Sequence, residues 1–116
     1  NQIIHHIADS HMNAFVRCKL LLTEDNPTIK PYNQDLWAIT ADVTNVPFNF
    51  STTIIHALHH RWVVLLGSLK EEEIMRTYYH PEYKNKVALW QVANLYAWHG
   101  RHHAEQIRQL RVRNGW

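Results

Sequence analysis

Apolar residues recur every three to four positions over three stretches of this chain, and polar, proline-bearing sequence fills the intervals. In the first, Asn1 to about Leu22, one line of positions runs Ile4, Ala8, Met12, Phe15, Lys19 and Leu22. A second runs Ile3, Ile7, Ser10, Ala14 and Arg17. Both lines are partly apolar, so the spacing predicts a helix packed on two sides, as a central member of a bundle would be. The second stretch carries Ile54, Ile55, Leu58, Trp62, Leu65, Leu66 and Leu69, with Asn49 or Ser51 as its expected N-cap. The third runs from about Lys86 or Val87 to Val112, with Leu89, Val92, Tyr96, Ile107 and Leu110 on one stripe and Asn114-Gly115 as its stop.

Between the first two lies Thr23 to about Asn49, broken by Pro27, Pro31 and Pro47 and expected to be mostly loop, with one helical turn around Gln34 to Ala38. Tyr32 and Trp37 are its expected anchors, and connections of this length often cover functional sites. Glu71 to Met75 forms an acidic turn suited to a helix N-terminus. Tyr78 to Lys86 forms a turn around His80-Pro81, and no segment reads as a strand. The pattern therefore predicts an all-α antiparallel bundle in a single domain over residues 1–116. Three long helices leave one side open, for a missing helix or a partner chain. The chain enters helical period at Asn1 without a good cap, so upstream sequence is expected to be missing.

Composition narrows the class. A chain of 116 residues, 46% hydrophobic, suffices for one core. A net charge of +2 is too small to make a nucleic acid or an anionic membrane the main partner. The single cysteine, Cys18, cannot form an internal disulfide and is expected to pack in the core; with no signal-peptide features, a cytoplasmic setting is expected. No apolar run reaches the roughly 18 residues of a membrane span. Ten histidines are the anomaly.

Two of them, His99 and His103, stand four residues apart on the apolar stripe of the third helix. Each buried neutral imidazole needs a partner, at a cost of about 1 to 3 kcal/mol if none is found. A shared divalent cation meets both needs, because this spacing sets the side chains on one face with Cβ atoms about 5 to 6 Å apart. A third imidazole would come from His5, His6 or His11. His6 is preferred because it lies beside Ile3, Ile7 and Ser10; His5 is expected at a surface or helix contact. Three imidazoles with an open position suit zinc, nickel, cobalt or iron and can hold a water of lowered pKa. In the plainer reading, these rings hydrogen-bond to backbone or solvent. Gly100 occupies the position where hydrolytic His-Glu-x-x-His helices carry their base, so a base would have to come from elsewhere, with Asp9 and Glu105 the candidates. His56, His59 and His60 are expected at the edge of the second helix's buried stripe or in solvent, and His80 in a surface turn, with a turn that approaches a pocket as the alternative. Arg101, Arg108, Arg111 and Arg113 suit a helix C-terminus, with anion binding by Arg101 as the alternative.

Several blocks, in order, extend this reading: His5 to Asn13, Lys19 to Glu24 with Ile29 to Tyr32, Arg61-Trp62, Tyr79-His80-Pro81, and Leu95 to His103. Together they resemble the DinB superfamily, and more closely its YfiT-like branch of metal-dependent hydrolases. The resemblance implies a four-helix bundle, here without its first helix, and a metal held by His6, His99 and His103. It also implies zinc or nickel with bound water, a small-molecule substrate and a homodimer. Related members resemble thiol S-transferases acting with bacillithiol or a similar small thiol, which is the alternative activity. A non-enzymatic, metal-stabilised helical interaction module is the third reading, opposed by the open coordination position.

Overall fold

The structure, a computed structural model, describes residues 2–92, 109, 112 and 113. The elements run α1 (Gln2–Thr23), α2 (Gln34–Trp37), α3 (Ala41–Asn45), α4 (Phe48–Gly67), α5 (Glu71–Ile74), β1 (Thr77–His80) and β2 (Asn85–Ala88), and residues 89–92 are again helical. α1 and α4 are the long elements that their apolar periodicity predicts, and they pack on each other. The turn expected near Gln34 is α2, capped by Asn33, whose side chain accepts from the Leu36 N–H at 3.1 Å. α3 was not expected.

The start of α4 corrects the sequence reading. The helix begins at Phe48, one residue before Asn49, with Pro47 at the cap position and no side-chain cap. Pro47 fits there because it needs no N–H partner. Ser51 lies inside the helix, where its hydroxyl is committed to His5.

The absence of strands is also overturned. β1 and β2 form an antiparallel hairpin in register Thr77 with Ala88, Tyr78 with Val87, Tyr79 with Lys86 and His80 with Asn85. Its turn contains Lys84 at φ 50°, a left-handed conformation that L-residues adopt only at some cost. The outer edge of β1 is also occupied: Tyr79 N–H donates to Pro27 O at 2.8 Å and Ile29 N–H to Tyr79 O at 3.1 Å. That pairing fixes the long connection against the hairpin. The last helix consequently starts after Ala88, later than Lys86 or Val87, and Gln91 Oε1 accepts from the Ala88 N–H at 2.8 Å.

The core lies where α1, α4, the hairpin and residues 89–92 meet: Ala14, Phe15, Cys18, Leu21, Ile29, Trp62, Tyr78, Leu89 and Val92, flanked by Leu58, Leu65, Leu66 and Leu69. Phe15 and Trp62 meet edge to face with centroids 6.2 Å apart. Cys18 is buried, as expected for a packing residue, and burial pushes its thiol up to about 11 against an opposing hydrogen bond to Trp62. Arg76, preceding β1, donates to Leu21 O at 2.9 Å and to Glu24 O at 3.0 Å. α1 has no basic residue in its last turn, so a distant arginine serves its exposed carbonyls. Among the described residues, no helix is long and apolar enough to cross a membrane.

Candidate functional site

At about 100° per residue, His6, Asn13, Arg17 and Ser10 fall within a narrow arc of α1. The loop from Pro31 to Trp37 lies over this stripe, and Tyr32 and Trp37 meet edge to face at 5.0 Å, serving as the anchors their position suggested. Three cavities result. The smallest, about 10 Å³, is lined by His6, Asp9, Gln2, Tyr32, Gln34, Trp37, Ala38 and Val43. That is room for about one water-sized sphere. A second, about 380 Å³, lies between α1 and the hairpin, with Ser10, Arg17, Tyr32, Gln34, Tyr78 and His80 among its walls. Tyr32 and Gln34 line both. Arg17 and Tyr32 also border a hollow of about 500 Å³ with Val16, Leu20 and Ile29.

His6 is half-buried and lines the smallest cavity with Asp9. His99 and His103, its proposed co-ligands, lie outside the described residues, as do Arg101, Arg108, Arg111 and Glu105. Among the described residues no three His, Cys, Asp or Glu side chains gather as a metal site. What is described fits one corner of such a site: an imidazole and a carboxylate, both oxygen- or nitrogen-donor ligands for a borderline divalent cation, share a cavity of ionic size. The Asp9 carboxyl is held above its ordinary value by burial, then by the negative charge of Asp42, with His5 opposing.

The other two candidates on α1 are used structurally. His5 is buried at a helix contact, the second of the two positions expected for it. Its Nε2–H donates to Val46 O at 3.0 Å, so Nδ1 is left to accept from the Ser51 hydroxyl at 2.6 Å. A serine beside a histidine has the makings of a nucleophile pair. Both are buried, however, and neither lines the three cavities, so they bolt α1 to the start of α4. His11 is buried and its Nδ1 lies 2.6 Å from Nε2 of His59, with Trp62 edge-on at 5.9 Å. His59 reaches the core only through this contact and is itself exposed, as are His56 and His60, all three as expected.

His80 departs from the surface turn preferred for it and takes the alternative, a place on a pocket wall. It closes β1, is 5% exposed rather than on the surface, and stacks on Tyr83 with ring centroids 4.0 Å apart. Alternation along β1 puts Tyr78 and His80 on the inner face. The imidazole pKa is held down by burial first and by the Arg17 charge second, while Glu82 opposes.

Residues 1–107 match the family model of the DinB superfamily. The chain belongs to the DinB superfamily. Two curated relatives of this DinB chain, from Bacillus cereus (strain 03BB102) and Bacillus thuringiensis subsp. konkukian, are each 48% identical over 115 residues, covering 99% of it. Both are named "putative metal-dependent hydrolase". The chain spans 65% of the length of these relatives. Its fold is that of YfiT from Bacillus subtilis: TM-score 0.94, 40% identity, 99% of this chain and 66% of that one covered. YfiT is described as "a probable metal-dependent hydrolase with an unusual four-helix bundle topology". Among its described residues the DinB chain is accordingly mostly helical with one small hairpin, and α1 and α4 are its long helices there.

Proposed function

We propose that this chain forms the catalytic part of a metal-dependent hydrolase acting on a small molecule, with His6, His99 and His103 as ligands of one divalent cation, zinc or nickel. The observation that carries the reading is the position of His6, half-buried at an ion-sized cavity with Asp9 beneath the loop 31–37. The spacing of His99 and His103 supports it, and so do the names of the Bacillus relatives. Such a cation supplies Lewis acidity, which acidifies water or a thiol and polarises an acyl or phosphoryl oxygen. The chain's own contributions are then specific. His6 would hold the ion through a ring nitrogen. Asp9, the described carboxylate of that cavity, would accept a proton at a carboxylate oxygen. Tyr32 and Trp37 would screen the site from bulk water.

The test is elemental analysis of protein purified without an affinity tag, alongside His6→Ala, His99→Ala and His103→Ala. The reading expects one stoichiometric divalent ion per chain and its loss in each variant. Full occupancy in any variant removes that residue from the ligand set. Turnover that requires an added low-molecular-weight thiol, rather than water alone, overturns the hydrolase assignment in favour of thiol transfer. The same reading includes a homodimer, supported by apolar side chains exposed on α4.

A further inference from the structure

The cavity between α1 and the hairpin brings together two groups that the proposed cation site does not use. Arg17 is half-buried on α1, and no hydrogen bond or ion pair joins it to another of the described residues. A guanidinium is always charged and carries five N–H donors in a rigid fork matched to carboxylate and phosphate oxygens. Half-buried on a cavity wall, such a fork is presented to an anion that enters. Across the cavity, His80 is 5% exposed and its Nδ1 is buried with no hydrogen-bond partner. A buried ring nitrogen without a partner is uncommon enough to need a cause. The remaining charged groups of the wall are Lys86 and Glu82, so the fixed charge there is net positive. The volume, about 380 Å³, falls in the range of small-molecule pockets.

We propose that this cavity is a binding site for a small organic anion, whose carboxylate or phosphate is held by the Arg17 guanidinium and whose adjoining polar group hydrogen-bonds to the His80 ring. Anion binding itself is independent of any cation. Its use as the substrate pocket rests on the reading of His6 above: Ser10 stands one turn from His6, and Tyr32 and Gln34 border both cavities, so a bound molecule extends toward the proposed ion. The substrate class that follows is a compact acid or phosphate ester with its reacting group a few bonds from the anionic one. Arg17 would then set specificity, and His80 would orient the middle of the substrate.

The experiment uses the full chain with ¹⁵N-labelled histidine, titrated with succinate in one arm and inorganic phosphate in the other, with and without added zinc. The His80 ring signals are assigned by their loss in His80→Gln. A saturable shift of those signals is expected with at least one anion, and the responding arm tells a carboxylate from a phosphate site. Arg17→Gln should weaken binding about tenfold or more, with Arg17→Lys intermediate because it keeps the charge but not the fork. Unchanged thermal unfolding of Arg17→Lys guards against a merely unfolded variant. No saturable shift with either anion, or Arg17→Gln titrating like the parent, overturns the proposal. Metal content measured on the same samples separates the two readings. Anion binding lost with stoichiometric metal retained would overturn the pocket alone, whereas metal absent with anion binding retained would overturn the cation site alone.

Discussion

His5 has both ring nitrogens occupied, by the Ser51 hydroxyl and the Val46 carbonyl, and it is 6% exposed. Removing the Ser51 hydroxyl leaves a buried nitrogen unsatisfied, so Ser51→Ala should cost about 1 to 3 kcal/mol of unfolding free energy in a denaturant titration. An unchanged midpoint would show that the contact bears no load. His59 and His80 give a second expectation, since burial holds both below the ordinary value of 6.5. Their neutral forms are favoured in the folded state, so the unfolded chain takes up protons first on acidification. The associated stability is full above 6.5 and is lost as pH falls from there through the lower folded values. Unfolding midpoints should therefore fall on the acid side of neutrality, and the double change His59→Gln, His80→Gln should flatten the curve. Equal slopes in parent and double variant would exclude these rings as its source. Helical angles alone separated His5 from His6 by about 100°, which is why the sequence favoured His6 for the cavity face. It could not assign His5 to Ser51, because that contact spans 46 positions and carries no local signal.

Elements were legible in proportion to their length. α1 and α4 run for 22 and 20 residues, enough turns for apolar spacing to be unmistakable. The hairpin strands have four residues each, and only Tyr78, His80 and Ala88 are fully buried. Its turn lacks the Asn-Gly or Asp-Gly signature, and Lys84 takes the left-handed position instead. A four-residue strand with a histidine facing inward is indistinguishable from a polar turn by pattern. Read as a turn, the segment favours the surface for His80 over the cavity wall that it forms. The C-terminal end of α4 offers a test at this scale. Gly67 is its last residue, and a Cβ there meets nothing within 4 Å. Gly67→Ala should therefore stabilise the fold by about 0.4 to 1 kcal/mol, through a less flexible unfolded chain. A loss of stability in calorimetry would mean that this helix end needs glycine for a reason other than space.

Membership of the DinB superfamily was readable from ordered blocks along the whole chain, because a family pattern survives where a single histidine pair is ambiguous. Assembly is a different matter, since it depends on which faces stay uncovered. On α4, Phe50, Ile54 and Val64 lie within about 80° of one another around the axis. Their exposures are 57%, 40% and 64%. Arg61, on the same stripe, instead reaches over the Phe15 ring at 5.1 Å, which leaves the apolar positions as the stripe's outward character. A second copy offering the same stripe about a two-fold axis would cover both, as an isologous interface requires. Sedimentation of the chain should therefore give a dimer that dissociates on dilution. Val64→Asp should shift it to monomer while far-ultraviolet circular dichroism stays helical, because a carboxylate at a desolvated two-fold contact faces its own copy. If the parent sediments as a monomer throughout, or Val64→Asp leaves a dimer intact, α4 is not the contact surface.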